Sequence, residues 1–427
     1  MGSNTGGHGT SLAVIGAGVR GLGYARRAVA QGARVVAVAE PRRDTRSAFA
    51  AEFGIAPDLA FADPADLLAA GRLADGAVIA SPDSCHADQA VAAAERGYAI
   101  LLEKPMALRE DDCLRIIEAV ERAGVVFAVG HVLRYTPYTR ALKALLDSGR
   151  IGRIISVEHL EPVGWWHQAH SFVRGNWRRA DESGPMLLTK SCHDIDWLMH
   201  IMGEVPARTA SFGSLSHFKA SDKPSGATDR CVTCPVEQSC AYSAKRIYLR
   251  CVGDPVREYW PLSMVSADVT EAGILKALED SPYGRCVYSC DNDVVDHQVV
   301  SMEFPSGATA SFTMTAFTPL THRRTRIFGT RGFLEGDGDR LSLHDFVSDL
   351  VEEHLITSAG ASAADGHGGG DDALVAAFLS AAAGGDGSVL ISDARTSLAG
   401  HQVVWAAEHA RRTGTVVTIR KTVQPAK

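Results

Sequence analysis

The sequence predicts an α/β protein whose first third is a doubly wound parallel sheet. Two observations carry this. A short apolar run, residues 11–15, enters the glycine turn Gly16-Ala-Gly18-Val19-Arg20-Gly21 and leaves it as a helical pattern that stops at Gly32. Apolar strand patterns then recur at 33–39, 76–80, 98–102 and 125–129, with helical patterns at 42–53, 64–70, 86–96, 110–123 and 137–147. Strands that alternate with helices in this way form a parallel sheet with right-handed crossovers.

The glycine turn matters because of its context, since strand, turn and helix follow in the order that nucleotide binding needs. Gly16 permits a tight turn, Gly18 lets the backbone approach a pyrophosphate, and Gly21 lets helix and strand pack closely. Val19 and Arg20 open a helix whose N-terminus attracts phosphate. Glu40 ends the second strand, where an acid accepts hydrogen bonds from both ribose hydroxyls and repels a 2′-phosphate. That favours NAD, while the neighbouring Arg42 and Arg43 leave NADP open.

Length and charge narrow the class. The chain has 427 residues, of which 46% are hydrophobic and 22% charged. Single cores stop growing near about 250–300 residues, so at least two domains are expected. The expected divisions are a disordered lead (1–10), a nucleotide domain (11–150) and a substrate and oligomerisation domain (151–427). A net charge of −7 without a basic block argues against a nucleic-acid partner. No apolar run reaches the roughly 18 residues of a membrane span. The start lacks the basic and apolar regions of an export signal. Nine cysteines, an odd number, then favour thiols or metal over disulfides and a cytoplasmic location.

Ligands of open α/β sheets bind at the carboxyl ends of the strands. Glu103-Lys104-Pro105 stands at one such end, and the proline keeps Lys104 out of helical geometry. Lys104 is therefore a candidate catalytic group, the alternative being a plain strand-end lysine. Ser81-Pro82-Asp83-Ser84-Cys85-His86 leaves the preceding strand, so Pro82, Asp83 and His86 are expected on the nicotinamide side. Asp83 and Ser84 are equally plausible as caps of the next helix. Arg134 and Tyr135 leave the last strand at the same edge.

The glycine turn, Ser81-Pro82 with His86, Glu103-Lys104-Pro105, Arg134-Tyr135-x-Pro137, Trp177-Arg178 and His193-x-x-Asp196 together resemble the glucose–fructose oxidoreductase / inositol dehydrogenase / MocA family. The resemblance covers nearly the whole chain. It implies a nicotinamide-binding Rossmann domain followed by an α+β domain with an open, mostly antiparallel sheet. It also implies sugar or cyclitol substrates, oligomers built through that sheet, Trp177 and Arg178 near the cofactor, and Lys104 and His193 in the active site.

The second half carries its own signals. Residues 165–179 are dense in Trp, His and Arg, including His167, His170 and Arg174, which suits a carbohydrate cleft or an ordinary interface. Residues 184–203 have proline near the start and glycine after the end, as helices do. One stripe is apolar (Leu188, Cys192, Ile195, Met199, Met202) and the opposite one polar (Lys190, His193, Asp194, Trp197). A polar stripe is usually solvated. By the resemblance, His193 takes the place of the general base. The family often has an acid four residues earlier, where this chain has Thr189, and Lys190 stands in its stead one turn before His193. A neutral His193 could take a hydroxyl proton while ammonium Lys104 stabilises the alkoxide. Buried beside Lys190, Lys104 would serve as the base instead.

Residues 214–290 form a long polar insert with Cys231-x-x-Cys234-x5-Cys240, then Cys251, Cys286 and Cys290. That spacing predicts a structural tetrathiolate zinc site. Cys286 is the favoured fourth ligand, ahead of Cys290 and Cys251. An iron–sulfur cluster or free thiols are the alternatives. The insert and residues 291–297 resemble a subgroup among polysaccharide-utilisation oxidoreductases, which implies a glycoside or uronate-like substrate. Asn292, Asp293 and His297 line the cleft or form a turn and strand end. Strands are expected at 309–317, 324–328, 332–334 and 415–419, a loop at 358–371, helices at 372–383 and 394–412, and a tail from 425. The sequence is thus read as an NAD-dependent dehydrogenase of a pyranoside hydroxyl. A redox-neutral glycosidase working through transient oxidation is the alternative, and a non-catalytic nicotinamide or sugar sensor the third.

Overall fold

The computed structural model describes residues 9–357, 367–385 and 387–419. Among the described residues, contacts divide the chain into two compact units, one holding the residues up to Tyr135 together with Gly370–Leu398, the other holding Thr136–Gly369 and residues 399–419. The expected lead lies outside the described residues except for Gly9 and Thr10. So does most of the expected loop, at 358–366, and so does the tail.

The first unit is built from β1 (Ser11–Ile15), α1 (Val19–Ala30), β2 (Arg34–Ala39), α2 (Arg43–Phe53), β3 (Ala60–Phe61), α3 (Pro64–Ala69), β4 (Gly76–Ile79), α4 (His86–Glu95), β5 (Ala99–Leu102), α5 (Glu110–Ala123) and β6 (Phe127–Val129). The six strands are all parallel and ordered β3-β2-β1-β4-β5-β6. Leu12 to Ile15, and all of β4 and β5, are buried, as strands covered on both faces must be. That double burial is why these strands read as unbroken apolar runs. Helix Gly370–Ala382 returns to this unit, where Leu374, Val375 and Phe378 pack with Leu12, Tyr24 and Val78.

The second unit opens with α6 (Pro137–Asp147), which proline starts and the Thr136 side chain caps. Its sheet has nine strands: β7 (Ile154–Pro162), β8 (Arg208–Ser214), β9 (His297–Glu303), β10 (Thr309–Thr315), β11 (Arg324–Gly329), β12 (Gly332–Gly336), β13 (Arg340–Asp345), β14 (Leu350–Leu355) and β15 (Val417–Thr418). The order is β14-β13-β12-β11-β7-β10-β9-β8-β15, and only β7 and β10 pair in parallel. The mostly antiparallel sheet is therefore as expected, although β13 and β14 were not foreseen. On β7, Val157, His159 and Glu161 lie on one buried face.

Residues 184–203 do not form one helix. A short turn, Met186–Thr189, gives way at Lys190 and Ser191 to α7 (Cys192–Met202), which Gly203 ends in the left-handed conformation. Nor is the polar stripe solvated. His193, Asp194 and Trp197 are all buried, where His159 of β7 and Arg323 meet them.

The insert shares an apolar core with Ala169, Val173 and Ala316 of the same unit. Phe218, Ala244, Ile247, Tyr248, Leu262, Ile274, Leu278, Val287 and Tyr288 are buried together, along with Cys231, Cys251 and Cys286. Ile274 and Leu278 come from α8 (Glu271–Asp280), capped by Thr270. The insert packs through apolar burial together with these neighbours.

Candidate active site

The first unit supplies a cradle for a dinucleotide. Gly16 adopts φ +90°, and a Cβ there would stand 2.5 Å from Ala80 O. At Gly21 a Cβ would stand 1.9 Å from Gly16 O, so strand and helix touch through backbone alone. Gly18 differs, because a Cβ on it would meet no protein atom nearer than Arg42 Nη2 at 3.8 Å. Gly18 is also the N-cap of α1 and has no capping side chain. An open surface at a helix N-terminus fits a pyrophosphate. At the end of β2, Glu40 is buried and accepts from Ala17 N (3.0 Å), Arg42 N (3.0 Å) and Arg42 Nε (2.7 Å). Burial works against ionisation, but the bonds from Arg42 and Ala17 hold the Glu40 carboxyl below its ordinary range.

At the ends of β4 and β5 the expected residues take distinct roles. Lys104 is half-buried just past β5. Glu103 accepts from Arg20 Nε (2.5 Å), Tyr24 OH (2.8 Å) and Lys104 N (2.7 Å), and Arg20 also reaches Asp371 at 2.7 Å. Arg20 and Glu103 are thus tied into a buried ion network that includes helix Gly370–Ala382. His86 is fully buried, its ring nitrogens 2.8 Å from Pro105 O and 3.1 Å from Ser81 O, and it ties the two strand-end turns together. Ser81 donates to Gln89 (2.6 Å), while Pro82 and Asp83 begin a short turn ahead of α4. Arg134 donates to Ile391 O (2.7 Å), and Tyr135 OH lies 2.9 Å from both Ser392 Oγ and Ile391 N.

The second unit holds the densest ionisable cluster around a candidate catalytic group. Arg323, immediately before β11, places Nη2 2.7 Å from His193 Nε2 and 2.8 Å from Glu161 Oε2, and its Nε donates to Asp194 Oδ1. Lys190 Nζ is 3.0 Å from Glu161 Oε1. His159 Nε2 is 3.3 Å from Asp194 Oδ1, and its Nδ1 is 2.7 Å from Thr325 Oγ1. The Trp197 ring stacks on His159 at 4.6 Å and donates Nε1 to Thr139 (2.8 Å), which fixes that imidazole. Burial opposes the charge on Asp194, yet Arg323, then His193 and His159, hold it well below the carboxylate range. Burial also lowers the Lys190 ammonium; Glu161 works against the fall and Arg323 adds to it. Such perturbed groups around one imidazole suit proton transfer.

His159, Glu161 and Arg323 were not singled out from the sequence. The available signal was the alternation on β7, which puts His159 and Glu161 on one face at i and i+2. Thr189, where the family often has an acid, is buried, and Arg323 and Asp194 flank His193 in its place.

Other expected residues sit elsewhere in the second unit. His170 is buried against Tyr248 OH (2.9 Å) and stacked on Tyr283, and burial, then Arg174, push it down to about 3. Arg174 is fully buried in the insert core, donating to Arg285 O and Tyr242 O at 2.7 Å each. His167 Nδ1 is 3.1 Å from Val163 O, with Trp260 4.9 Å from its ring. Trp177 stacks on Phe172 at 5.9 Å, and Arg178 pairs with Asp291 at 3.1 Å. Asn292 donates to Phe218 O (3.1 Å), and His297 Nδ1 is 2.8 Å from Asp296.

The tetrathiolate zinc site is not formed. Among the described residues, no three His, Cys, Asp or Glu side chains are grouped to hold a metal ion. Cys231, Cys234, Cys240 and Cys286 do line one small cavity, but the Arg174 guanidinium lies beside them, 3.6 Å from Cys231 Sγ. Cys231 and Cys286 are core residues, and apolar burial accounts for them.

The fold and the two centres define a two-domain nicotinamide-binding oxidoreductase. The chain belongs to the Gfo/Idh/MocA oxidoreductase family: residues 10–131 match its NAD-binding Rossmann fold and residues 143–419 its C-terminal alpha/beta domain. Inositol 2-dehydrogenase of Streptomyces avermitilis is 41% identical over 145 residues, 33% of this chain and 41% of that one. The 2,7-anhydro-N-acetylneuraminate hydratase of Escherichia coli is 29% identical over 153 residues, 36% of this chain and 40% of that one. This chain therefore aligns with less than half the length of either relative. Levoglucosan dehydrogenase, solved in complex with NADH and levoglucosan, shares the fold with a TM-score of 0.70 at 17% identity, covering 96% of this chain and 99% of that one. Among the described residues no helix is long and apolar enough to cross a membrane.

Proposed function

We propose that the chain is an NAD-dependent dehydrogenase that moves hydride between a nicotinamide and a secondary hydroxyl of a sugar, glycoside or cyclitol. The observation that carries the reading is the buried cluster of His193, Asp194, Arg323, Glu161 and Lys190, in a chain that also keeps Glu103-Lys104-Pro105. Bound NAD supplies the hydride acceptor. Lys104, His193 and Lys190 are the groups that hold or move the hydroxyl proton, and NADP is the alternative cofactor. A homo-oligomer, dimer or tetramer, goes with the reading, supported by the exposed cross-strand pair Phe212 and Val299 on the large sheet. A cytoplasmic location is supported by cysteines that are all free thiols.

A second reading, redox-neutral turnover of a glycoside or anhydro sugar, is favoured by the hydratase among the relatives. Incubation with NAD and a panel of sugars, cyclitols and glycosides separates the two. Accumulating NADH supports the dehydrogenase, whereas a released aglycone or hydrated product without NADH supports the redox-neutral reading. Neither product with any compound, in the presence of NAD or NADP, would refute both.

A further inference from the structure

His193 Nε2 lies between two groups that ask opposite things of it. Arg323 Nη2 stands 2.7 Å away and Asp194 Oδ2 3.3 Å away. A guanidinium has donors only and keeps its protons in proteins, so a nitrogen 2.7 Å from it must accept. The carboxylate would instead want a proton on Nε2. The shorter contact prevails, and Asp194 is already served by Arg323 Nε and by His159 Nε2 at 3.3 Å. Arg323 is held firmly enough for this task. Nη2 has hydrogen-bond contacts to His193 Nε2 and, at 3.4 Å, to Asp194 Oδ2, and it forms an ion pair at 2.8 Å with Glu161, which is itself anchored by Lys190 at 3.0 Å.

Resting on the place given to His193 in the active site above, we infer that Arg323 is a positioning residue: it keeps Nε2 of His193 bare and puts the ring proton on Nδ1. His193 then meets the reacting oxygen as an Nδ1–H donor. In the oxidation direction the substrate C–H bond yields hydride to NAD. The O–H bond yields its proton to the neutral amine of Lys104, and the carbonyl forms under a hydrogen bond from His193. Every charged or titratable neighbour named for this ring fits the neutral form. Arg323 and Lys190 are cations, Glu161 and Asp194 are anions already bonded to them, His159 is bonded to Asp194 and Thr325, and His367 lies edge-on with its ring centre 6.5 Å away. An imidazolium at 193 would turn an Nε2–H directly against the guanidinium.

The test is the tautomer itself, read by long-range proton–nitrogen correlation on the full chain with labelled histidines, His193 being assigned through His193→Gln. The expected spectrum at about pH 7 shows Nδ1 protonated and Nε2 bare, persisting to about pH 5.5, where exposed histidines are charged. In Arg323→Gln the Nε2–H form should appear, and the pH profile of kcat/KM should gain a limb near the ordinary histidine value of about 6.5. A wild-type ring protonated on Nε2 overturns the inference, and so does an unchanged tautomer in a folded Arg323→Gln. If that variant does not fold, the wild-type spectrum still decides. Because the spectrum needs no substrate, failure of the dehydrogenase reading leaves it interpretable.

Discussion

Replacing Gly18 with alanine separates nucleotide binding from folding. The backbone at Gly18 is extended (φ −71°, ψ −171°), which alanine adopts freely, and the added Cβ meets nothing nearer than 3.8 Å. The stability cost is the N-cap preference alone, about 1 kcal/mol or less, or about 2–4 °C in Tm for a domain of this size. The same methyl group occupies the open surface before the first N–H groups of α1. Losing one charge-assisted hydrogen bond to a pyrophosphate costs about 1.5–3 kcal/mol, so the Kd for NAD should rise roughly 10- to 100-fold. Gly21→Ala should behave in reverse order. Its Cβ would stand 1.9 Å from Gly16 O, so the backbone must shift, and overpacking of that kind costs about 1–3 kcal/mol or more before any ligand is considered. Calorimetric titration with NAD beside thermal unfolding of both variants reads the contrast. An undiminished NAD affinity in Gly18→Ala would refute the cradle.

Further expectations concern the two candidate centres and a histidine packed against the insert. Lys104→Ala should lower kcat about 100- to 10,000-fold at nearly unchanged Tm, checked by steady-state rates, and full turnover would remove Lys104 from the chemistry. Asp194→Asn removes one of the two buried carboxylates that face Arg323, Asp194 and Glu161, and should cost about 3–5 kcal/mol at neutral pH, measured by urea unfolding. Because the Asp194 carboxyl is held below its unfolded value, its contribution is present above about pH 3.9 and is lost as the pH falls through the lower folded value, so the difference from wild type should shrink in acid. The ring of His170, pushed down to about 3, should show no titration between about pH 5 and 8 in its nuclear magnetic resonance shifts.

The Rossmann half was legible because its determinants are local. Doubly buried strands give unbroken apolar runs, and Gly16 and Gly21 are required by contacts with neighbouring backbone that no side chain could make. The second half was legible only where one element carries the signal. His193, Asp194 and Lys190 stand within one turn of each other, but the break at Ser191 and the burial of the polar stripe follow from the sheet residues that meet it. Glu161 and Arg323 are 162 residues apart in sequence, and nothing local marks either as a partner of His193. The cysteines misled for the opposite reason. A spacing that suits zinc also suits small apolar residues in a compact insert, and only the packing of Cys231 and Cys286 with Tyr248, Ile274 and Leu278 separates the two.

The claim on which the account turns is the proposed assignment of both Lys104 and His193 to the same reaction. A double-mutant cycle on kcat/KM tests it, using Lys104→Ala, His193→Ala and the pair, with whichever sugar, cyclitol or glycoside yields NADH. Groups acting as a unit are strongly non-additive, so the double variant should be little slower than the worse single one. Losses that simply multiply, or a single variant with wild-type turnover, would contradict the account.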